Sequence, residues 1–244
     1  MSKVGAFTFV LHSHLPYARK AGRWPHGEEW LHEAMAETYI PLLNALTRLQ
    51  TEKIPARLTI SLTPILLEQL ADKDIKTNFI TFLDERIAAA EEDKERFVAA
   101  NQEHMQSLAD YYYKWYGSIR TDFLKRYKRD LVGAFRKFQK SGMIEIVTCA
   151  ATHGYLPLLS TDNSIQLQLK TAVSAYQRHF GRKPEAIWLP ECAYRPAYQT
   201  EDGRFRPGLE TFLQDSGLRL FFAETHMIEG GRPVGIAAGE VLGP

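Results

Sequence analysis

Short, nearly continuous apolar segments alternate with helical segments along this 244-residue chain, and that alternation restricts its fold more than any other feature. Strands that are buried on both faces of a parallel sheet have such sequences, because helices cover the sheet on both sides. The pattern therefore predicts a parallel β/α fold. The predicted strands span residues 4–11, 57–62, 144–149, 186–189 and 218–223.

Helical segments with recognisable ends connect these strands. Asp162 can cap a helix that runs to about Phe180, and Gly181 then occupies the position where a left-handed residue ends a helix. Residues 28–50 have apolar side chains at helical spacing. Pro41 is expected to kink that helix, because proline cannot donate a backbone hydrogen bond.

The interval between the second and third strands is predicted to be a helical insertion at about residues 65–142. Charged and aromatic residues dominate it, and glycine is rare. One aromatic group within it could either stack on sugar rings or pack against a neighbouring helix. Packing is the favoured interpretation, because aromatic side chains at helical spacing are more often buried. The group consists of Tyr111, Tyr112, Tyr113, Trp115 and Tyr116.

Charge and cysteine content narrow the class of ligand and the compartment. A formal net charge of +1 does not favour nucleic acid or an anionic membrane as partner, whereas a neutral molecule such as a sugar is compatible with it. There is no signal region and no apolar run of membrane-spanning length, so the chain is expected to be neither secreted nor membrane-spanning. Cys149 and Cys192 indicate neither a disulfide framework nor a zinc site. We expect inert thiols and a reducing cytoplasm.

The most informative local feature is residues 188–192, which bring a carboxylate to the end of a short apolar strand. Pro184 and Pro190 bound that strand, because neither proline can occupy the interior of a central strand. Glu191 therefore begins a loop at a strand's carboxyl end, where α/β folds collect their catalytic residues. The alternative is an ordinary glutamate that either caps the turn or pairs with Arg195.

Histidines follow three of the predicted strands. His12 and His14 come after the first strand, at a two-residue spacing that directs both imidazoles to one side. His153 follows the third strand and His226 follows the fifth. Each could be an ordinary loop histidine. Parallel strands, however, would bring all of these strand ends to the same face as Glu191.

Two chemical interpretations fit these residues. In one, a metal-dependent hydrolase uses His12 and His14 as ligands of a divalent ion, although it still needs a carboxylate ligand. In the other, the histidines bind sugar hydroxyls and Glu191 attacks an anomeric carbon. Aromatic residues of the loop after the first strand, including Tyr17 and Trp24, would then stack on the sugar rings. The neutral charge balance and the aromatic loops favour the second interpretation.

The chain resembles glycoside hydrolase family 57, and within it the bacterial branching-enzyme subgroup. Three motifs carry the resemblance, each at a predicted strand end: LHSHLPY at residues 11–17, AATHGYLP at 150–157 and WLPECAYRP at 188–196. Residues 24–65 are also similar to the subgroup, so the resemblance covers essentially the whole chain.

The resemblance implies an incomplete (β/α)7 barrel and a retaining mechanism on an α-glucan, with no cofactor. Glu191 would be the nucleophile. The sugar subsite where cleavage occurs would be lined by His12, His14 and His153. Such a mechanism needs a second carboxyl group about 5–5.5 Å from the first. The other substrate-binding residues that the resemblance implies are Tyr17, Trp24, Trp188, Arg195 and His226.

The family's acid/base residue is an aspartate in a later motif, and that motif does not occur in these 244 residues. We therefore expect residues 1–244 to be the amino-terminal part of a catalytic domain, nearly inactive as written because one essential carboxyl group is missing. Glu224, after the fifth strand, is the less favoured substitute for that acid. The other candidate functions are a 4-α-glucanotransferase or α-amylase of the same family, the metal-dependent hydrolase, and a glucan-binding module without catalytic activity.

Overall fold

A computed structural model describes residue 5 and residues 7–224, and its main sheet has five strands. The strands within the described residues are β1 (Val10–Ser13), β2 (Leu58–Leu62), β3 (Ile144–Cys149), β4 (Ala186–Trp188), β5 (Tyr198–Gln199), β6 (Phe205–Arg206) and β7 (Leu220–Phe222). The main sheet has the order β1-β2-β3-β4-β7, so its strands follow one another across the sheet in the same order as along the chain. The pairs β1-β2, β3-β4 and β4-β7 are parallel, and β5-β6 is a separate antiparallel pair. The predicted parallel β/α fold is confirmed.

Strand pairing, more than hydrophobicity, sets the ends of the first strand. The prediction of a strand at residues 4–11 is wrong in its bounds, because β1 begins at Val10 and extends to Ser13. Every residue of β1 is paired with a residue of β2. Phe7 and Phe9 come before this ladder, and their side chains are exposed. The apolar sequence therefore indicates the region of the strand, and the neighbouring strand determines its limits.

Helices connect the strands of the sheet. They are α1 (Glu28–Ala34), α2 (Ile40–Thr51), α3 (Pro64–Ala71), α4 (Lys73–Ala99), α5 (Glu103–Thr121), α6 (Leu131–Lys140), α7 (Asp162–Phe180) and α8 (Leu209–Asp215). Four of them, α3 to α6, occupy the long interval between β2 and β3. Among the described residues, no helix combines the length and the apolar character that crossing a bilayer requires.

The helix predicted for residues 28–50 is interrupted just before Pro41. A π-helical turn at Met35–Tyr39 separates α1 from α2. Proline has no N–H to donate to the carbonyl four residues earlier, and its ring crowds that carbonyl. The N–H of Ile40 bonds to the carbonyl of Met35, five residues earlier. The expected irregularity therefore takes the form of a π-helical turn.

The chain divides into two compact units. The first unit comprises Met1–Pro16, Leu58–Leu66 and Glu145–Pro244. The second unit comprises Tyr17–Arg57 and Leu67–Ile144. The strands of the main sheet therefore belong to the first unit, apart from Ile144 at the start of β3, and α4, α5 and α6 belong to the second.

The apolar core of the first unit joins α7 and α8 to β4 and to the start of the loop that follows β4. Burial of apolar surface contributes about 25 cal/mol per Å². This contact therefore fixes the helices against the strand from which Glu191 emerges. The buried residues of this core are Ala150, Leu156, Ile165, Leu169, Ile187, Leu189, Leu209, Phe212, Leu213 and Leu218.

Helix α7 has the predicted length but a different cap. Thr161, not Asp162, caps it: the Thr161 Oγ1 atom accepts a hydrogen bond of 3.2 Å from the backbone N–H three residues later. Thr161 has the extended backbone of a cap residue, whereas Asp162 is the first helical residue and pairs with Arg206 at 2.7 Å. Gly181, with φ of +74°, ends the helix as predicted.

In the second unit, α4 and α5 pack side by side in antiparallel orientation. Lys94 pairs with Asp110 at 2.8 Å, and Asp84 pairs with Arg120 at 2.6 Å. The partner positions rise on one helix as they fall on the other, which defines the antiparallel arrangement. These exposed ion pairs each contribute little stability, so they report the register of the two helices more than they hold it.

The aromatic group of α5 is more exposed than packing against a helix predicts. The exposed fractions are 54% for Tyr111, 48% for Tyr112 and 36% for Tyr113. Tyr116 does contact the neighbouring helix, because its ring meets Phe82 edge-to-face with centroids 6.4 Å apart. The packing interpretation is therefore wrong for the three exposed tyrosines, and their use as a sugar platform stays a prediction.

Substituting Tyr176 should test the attachment of α7 to the sheet. The Tyr176 side chain is fully buried, its hydroxyl donates to the Ile146 carbonyl at 2.8 Å, and it also bonds to Arg182. Tyr176→Phe should lower the free energy of unfolding by about 1–2 kcal/mol, measured by urea denaturation. Tyr111→Phe, at an exposed position, should change it by less than about 0.5 kcal/mol. Equal effects of the two substitutions would contradict this prediction.

Candidate active site

The carboxyl ends of β1, β3 and β4 carry the residues of the candidate site. His12 lies in β1 and His14 directly follows it, whereas His153 and Glu191 lie in the turns after β3 and β4. Parallel strands present their carboxyl ends at one edge of a sheet, so these side chains meet there. All four residues belong to the first unit.

The three imidazoles form one contiguous cluster. The Nε2 atoms of His12 and His153 are 3.0 Å apart, a hydrogen-bond distance, so one of these nitrogens carries a proton that the other accepts. The His14 ring stacks on the His153 ring, with centroids 4.0 Å apart and 12° between the planes. The His153 ring is therefore held at its edge by His12 and on its face by His14.

Trp188 and Glu191 complete the cluster from β4 and its loop. The Trp188 indole stacks on the His12 imidazole, with centroids 4.8 Å apart and 16° between the planes. Glu191 Oε1 lies 3.8 Å from Nδ1 of His153, which is too long for a hydrogen bond but close enough for electrostatic attraction. Among the described residues Glu191 forms no ion pair with Arg195, so that alternative is wrong, and the carboxylate instead faces the imidazole of His153. The Glu191 side chain is 71% exposed, so a ligand can reach its carboxylate.

Backbone conformation also distinguishes these turns. Glu191 and Cys192 have φ of +57° and +52°, and His153 has φ of +59°. A non-glycine residue in this left-handed region costs roughly 1 kcal/mol or more, and such residues cluster at functional sites. Pro190 ends β4 because its φ is fixed, and the N–H of Cys192 closes the turn onto the carbonyl of Leu189 at 2.8 Å.

All three imidazoles are neutral at pH 7. Burial, followed by the neighbouring imidazoles of His153 and His14, lowers the pKa of His12 to about 4. Burial and His153 lower the pKa of His14 to about 4. Burial also lowers the pKa of His153, against the opposing effect of the Glu191 carboxylate. A neutral imidazole offers one donor and one acceptor, which suits the hydroxyl groups of a sugar.

Two buried hydroxyl groups contact these imidazoles and are missing from the predicted site. Ser61 Oγ lies 3.0 Å from His12 Nδ1, and Thr63 Oγ1 lies 3.3 Å from His14 Nδ1. Both residues are fully buried. The signal that could have identified them is a pair of polar residues at two-residue spacing in an otherwise apolar segment, which matches the spacing of the two histidines.

Arg195 has its described contacts away from the imidazole cluster. Its Nη1 donates to the Pro196 carbonyl at 3.2 Å, and its guanidinium lies 5.0 Å from the centre of the Tyr198 ring. A cation over an aromatic face is a favourable contact in itself. The role of Arg195 in substrate binding therefore stays a prediction.

Tyr17 and Trp24 belong to the second unit, where both side chains are exposed, and their contact with substrate stays a prediction. His226 lies outside the described residues. The backbone N–H of Glu224 donates to the carbonyl of Cys192 at 3.4 Å, which brings the end of the fifth sheet strand to the turn that carries the carboxylate.

Cys149 and Cys192 are free thiols, and burial raises the pKa of both above the ordinary value of a thiol. Both are therefore protonated at neutral pH, which supports the expectation that they are inert.

Across residues 7–224, no group of three His, Cys, Asp or Glu side chains is placed to hold a metal ion, so the metal hypothesis still lacks a third ligand there.

The parallel β/α fold and the arrangement at its strand ends are typical of a domain of the glycoside hydrolase class. A carboxylate follows a central strand, neutral imidazoles lie beside it, and an indole stacks on them. The chain belongs to glycosyl hydrolase family 57, whose family model matches residues 8–235. The family predicted from the motifs is confirmed.

Relatives with solved structures agree with this assignment. The GH57-type branching enzyme from Pyrococcus horikoshii superposes with a TM-score of 0.86 at 44% identity, over 92% of this chain and 43% of that one. The α-amylase AmyC from Thermotoga maritima gives 0.74 at 32% identity, over 90% of this chain and 40% of that one.

The 1,4-alpha-glucan branching enzyme TK1436 from Thermococcus kodakarensis is 44% identical to this chain over 242 residues. The match includes 98% of this chain and 35% of that protein. The chain thus spans between 35% and 43% of the length of these three relatives. Its likeness to them concerns only the matched part of each relative.

Acid should destabilise the fold through its buried histidines. An unfolded histidine binds a proton below about pH 6.5, whereas folded His12 and His14 do so only near pH 4. Between these values the unfolded chain binds more protons, so the free energy of unfolding falls as the pH falls from 6.5 to 4. Below pH 4 these two groups add no further loss.

Urea denaturation at pH 7, 5.5 and 4.5 measures this effect. The double variant His12→Gln/His14→Gln should lose less stability between pH 6.5 and 4 than the parent chain, whatever its stability at pH 7. His32, whose pKa burial also lowers to about 4, should leave a remaining pH dependence in that variant. An unchanged dependence in the double variant would contradict the assignment of neutral imidazoles.

Proposed function

We propose that this chain carries the nucleophile of a 1,4-α-glucan branching enzyme, which cleaves an α-1,4 linkage and forms an α-1,6 linkage with retention. One observation carries the proposal. An exposed carboxylate, Glu191, projects from a strained turn at a strand end and lies 3.8 Å from a neutral imidazole of a three-histidine cluster. A carboxylate so placed can attack a sugar's anomeric carbon.

The proposed reaction has two steps. Glu191 attacks the anomeric carbon of an α-glucan and forms a covalent glucosyl-enzyme, while a second carboxyl group protonates the departing chain. That carboxyl group then acts as a base and activates the 6-hydroxyl of another glucan chain. The acceptor displaces Glu191, so two inversions give net retention.

The neutral imidazoles fit this reaction electrostatically. The transition state resembles an oxocarbenium ion, in which positive charge develops on the sugar ring. Imidazolium groups at His12, His14 and His153 would oppose that charge, whereas neutral imidazoles can bind hydroxyls without doing so. The negative charge of the site stays on Glu191, the group that has to approach the cation.

The second carboxyl group is proposed to come from sequence beyond residue 244. The motif that carries the family's acid/base aspartate does not occur in the 244 residues, and the three relatives are more than twice as long as their matched parts. Glu224 is the alternative acid, supported by its backbone contact with the turn of Cys192. The proposal includes a role in the synthesis of glycogen-type glucan. It also includes a cytoplasmic location, which the two free thiols support.

A second candidate function is hydrolysis of the glycosyl intermediate, as in an α-amylase. The structural likeness to AmyC supports it, with a TM-score of 0.74. Transfer and hydrolysis differ only in the acceptor that reaches the intermediate, a glucan hydroxyl or water. Product analysis separates them: amylose should gain α-1,6 linkages visible by NMR in one case, and should yield only short α-1,4 oligosaccharides in the other.

Glu191→Gln should abolish transglycosylation in a version of the chain extended through its downstream reading frame. Loss of the nucleophile should reduce turnover at least about 10³-fold, because a neutral amide cannot form the intermediate. The iodine colour of amylose and the appearance of α-1,6 linkages measure the activity. Glu185→Gln is the control, since Glu185 directly precedes the amino end of β4 and pairs with Arg219 on the surface.

The 244-residue chain should be assayed in parallel. Activity in the extended protein alone would support an acid/base outside residue 244. Activity in the short chain that Glu191→Gln abolishes would direct attention to Glu224. Unchanged branching by the extended Glu191→Gln variant would overturn the proposed role of this residue, and glucan binding without turnover in both forms would favour a binding module.

A further inference from the structure

The two buried hydroxyls beneath the histidines lie on one strand and contact one nitrogen each. Strand register places Ser61 opposite His12, and Thr63 follows two residues later on the same side. The hydroxyls lie 3.0 Å and 3.3 Å from Nδ1 of His12 and His14, respectively. Neither hydroxyl is accessible to solvent, so neither can bind a ligand directly.

Hydrogen bonds link Ser61 to two imidazoles in turn, and the second imidazole faces the carboxylate. Ser61 contacts His12 Nδ1, and His12 Nε2 contacts His153 Nε2, each at 3.0 Å. The remaining ring nitrogen of His153, Nδ1, faces Glu191 Oε1 at 3.8 Å. Each neutral imidazole has one N–H and one lone pair, so the whole chain can carry its protons in only two ways.

The carboxylate distinguishes the two arrangements. In the first, Ser61 donates to His12, His12 donates to His153, and the Nδ1–H of His153 faces the carboxylate of Glu191. In the second, every direction is reversed, and a lone pair of His153 faces that negative charge. The N–H of His153 attracts the Glu191 carboxylate in the first arrangement, whereas the lone pair of His153 repels it in the second. The first arrangement is therefore favoured.

We infer that Ser61 and Thr63 are positioning residues of the candidate site. The Ser61 hydroxyl donates to His12 Nδ1 in the direction that the Glu191 carboxylate favours, and so helps to hold His12 in the tautomer that leaves His153 with an N–H facing Glu191. The Thr63 hydroxyl orients the His14 ring, which stacks on the face of the His153 ring. The inference deepens the proposed function, because it rests on Glu191 as the reacting carboxylate.

The tautomers of His12 and His153 test the inferred direction of the hydrogen bonds. Two-bond ¹H–¹⁵N NMR spectra of the histidine-labelled 244-residue chain at pH 7 should show a protonated Nε2 and a bare Nδ1 for His12. His153 should show the opposite, a protonated Nδ1 and a bare Nε2. Signals can be assigned by their loss in single His→Gln variants. The reverse pattern in the parent chain would overturn the inference without any further substitution.

Substitutions provide the second test, with a matched control. Ser61→Ala should mix the two tautomers of His12 and His153, and Thr63→Val should broaden or shift the His14 signals while Thr63→Ser preserves them. Thr148→Val is the control, since Thr148 is also fully buried and its hydroxyl donates to the backbone carbonyl of Cys149 at 3.3 Å, with no histidine bonded to it among the described residues. Parent-like tautomers in Ser61→Ala would contradict the inference.

Kinetics of the extended enzyme separate positioning from general destabilisation. Ser61→Ala should lower kcat about 10-fold with little change in KM, as expected for one lost hydrogen bond that matters at the reacting carboxylate. Thr148→Val should leave both constants close to those of the parent. If Glu191→Gln retained activity, the proposed function would fail, whereas the tautomer spectra would still decide the direction of the hydrogen-bond chain.

Discussion

Strand register is the constraint on which the site depends. Pairing of β1 with β2 places His12 opposite Ser61, and pairing of β3 with β4 places Cys149 opposite Trp188. A slip of one residue in either pair would turn the side chains to the other face of the sheet. The hydroxyl would then leave the imidazole, and the indole would leave the ring on which it stacks. The fully buried Ile187 of β4 opposes such a slip, because the same shift would remove it from the apolar core.

Burial explains both the arrangement and the charge state of the imidazoles. Burial lowers the pKa of all three histidines, and repulsion by neighbouring imidazoles lowers those of His12 and His14 further. The outcome is a polar but uncharged lining beside a single exposed carboxylate. Such a lining can form directional hydrogen bonds with sugar hydroxyls, while one carboxylate stabilises positive charge. Both properties suit the proposed reaction, whose transition state resembles a sugar cation.

Local sequence signals predicted the parallel fold and the strand ends that carry His153 and Glu191. Prolines and apolar runs mark those strand ends within a few residues, so no long-range information was needed. The bounds of β1 and the bond between Ser61 and His12 were not predictable in this way, because they join segments that are 49 residues apart. The exposure of the tyrosines on α5 likewise depends on which face of a helix meets its neighbour, and spacing along one helix does not determine that.

The turn that carries Glu191 shows why a strained conformation can be stable here. Leu189 and Pro190 before Glu191 are buried and Ala193 after Cys192 is 5% exposed, so the chain leaves the core for only two residues. Both of these residues, Glu191 and Cys192, adopt left-handed backbones whose cost the flanking core contacts offset. Because both ends of the turn are anchored, the carboxylate loses its freedom during folding instead of during substrate binding. The backbone that carries the proposed nucleophile is therefore preorganised, and substrate binding does not have to order it.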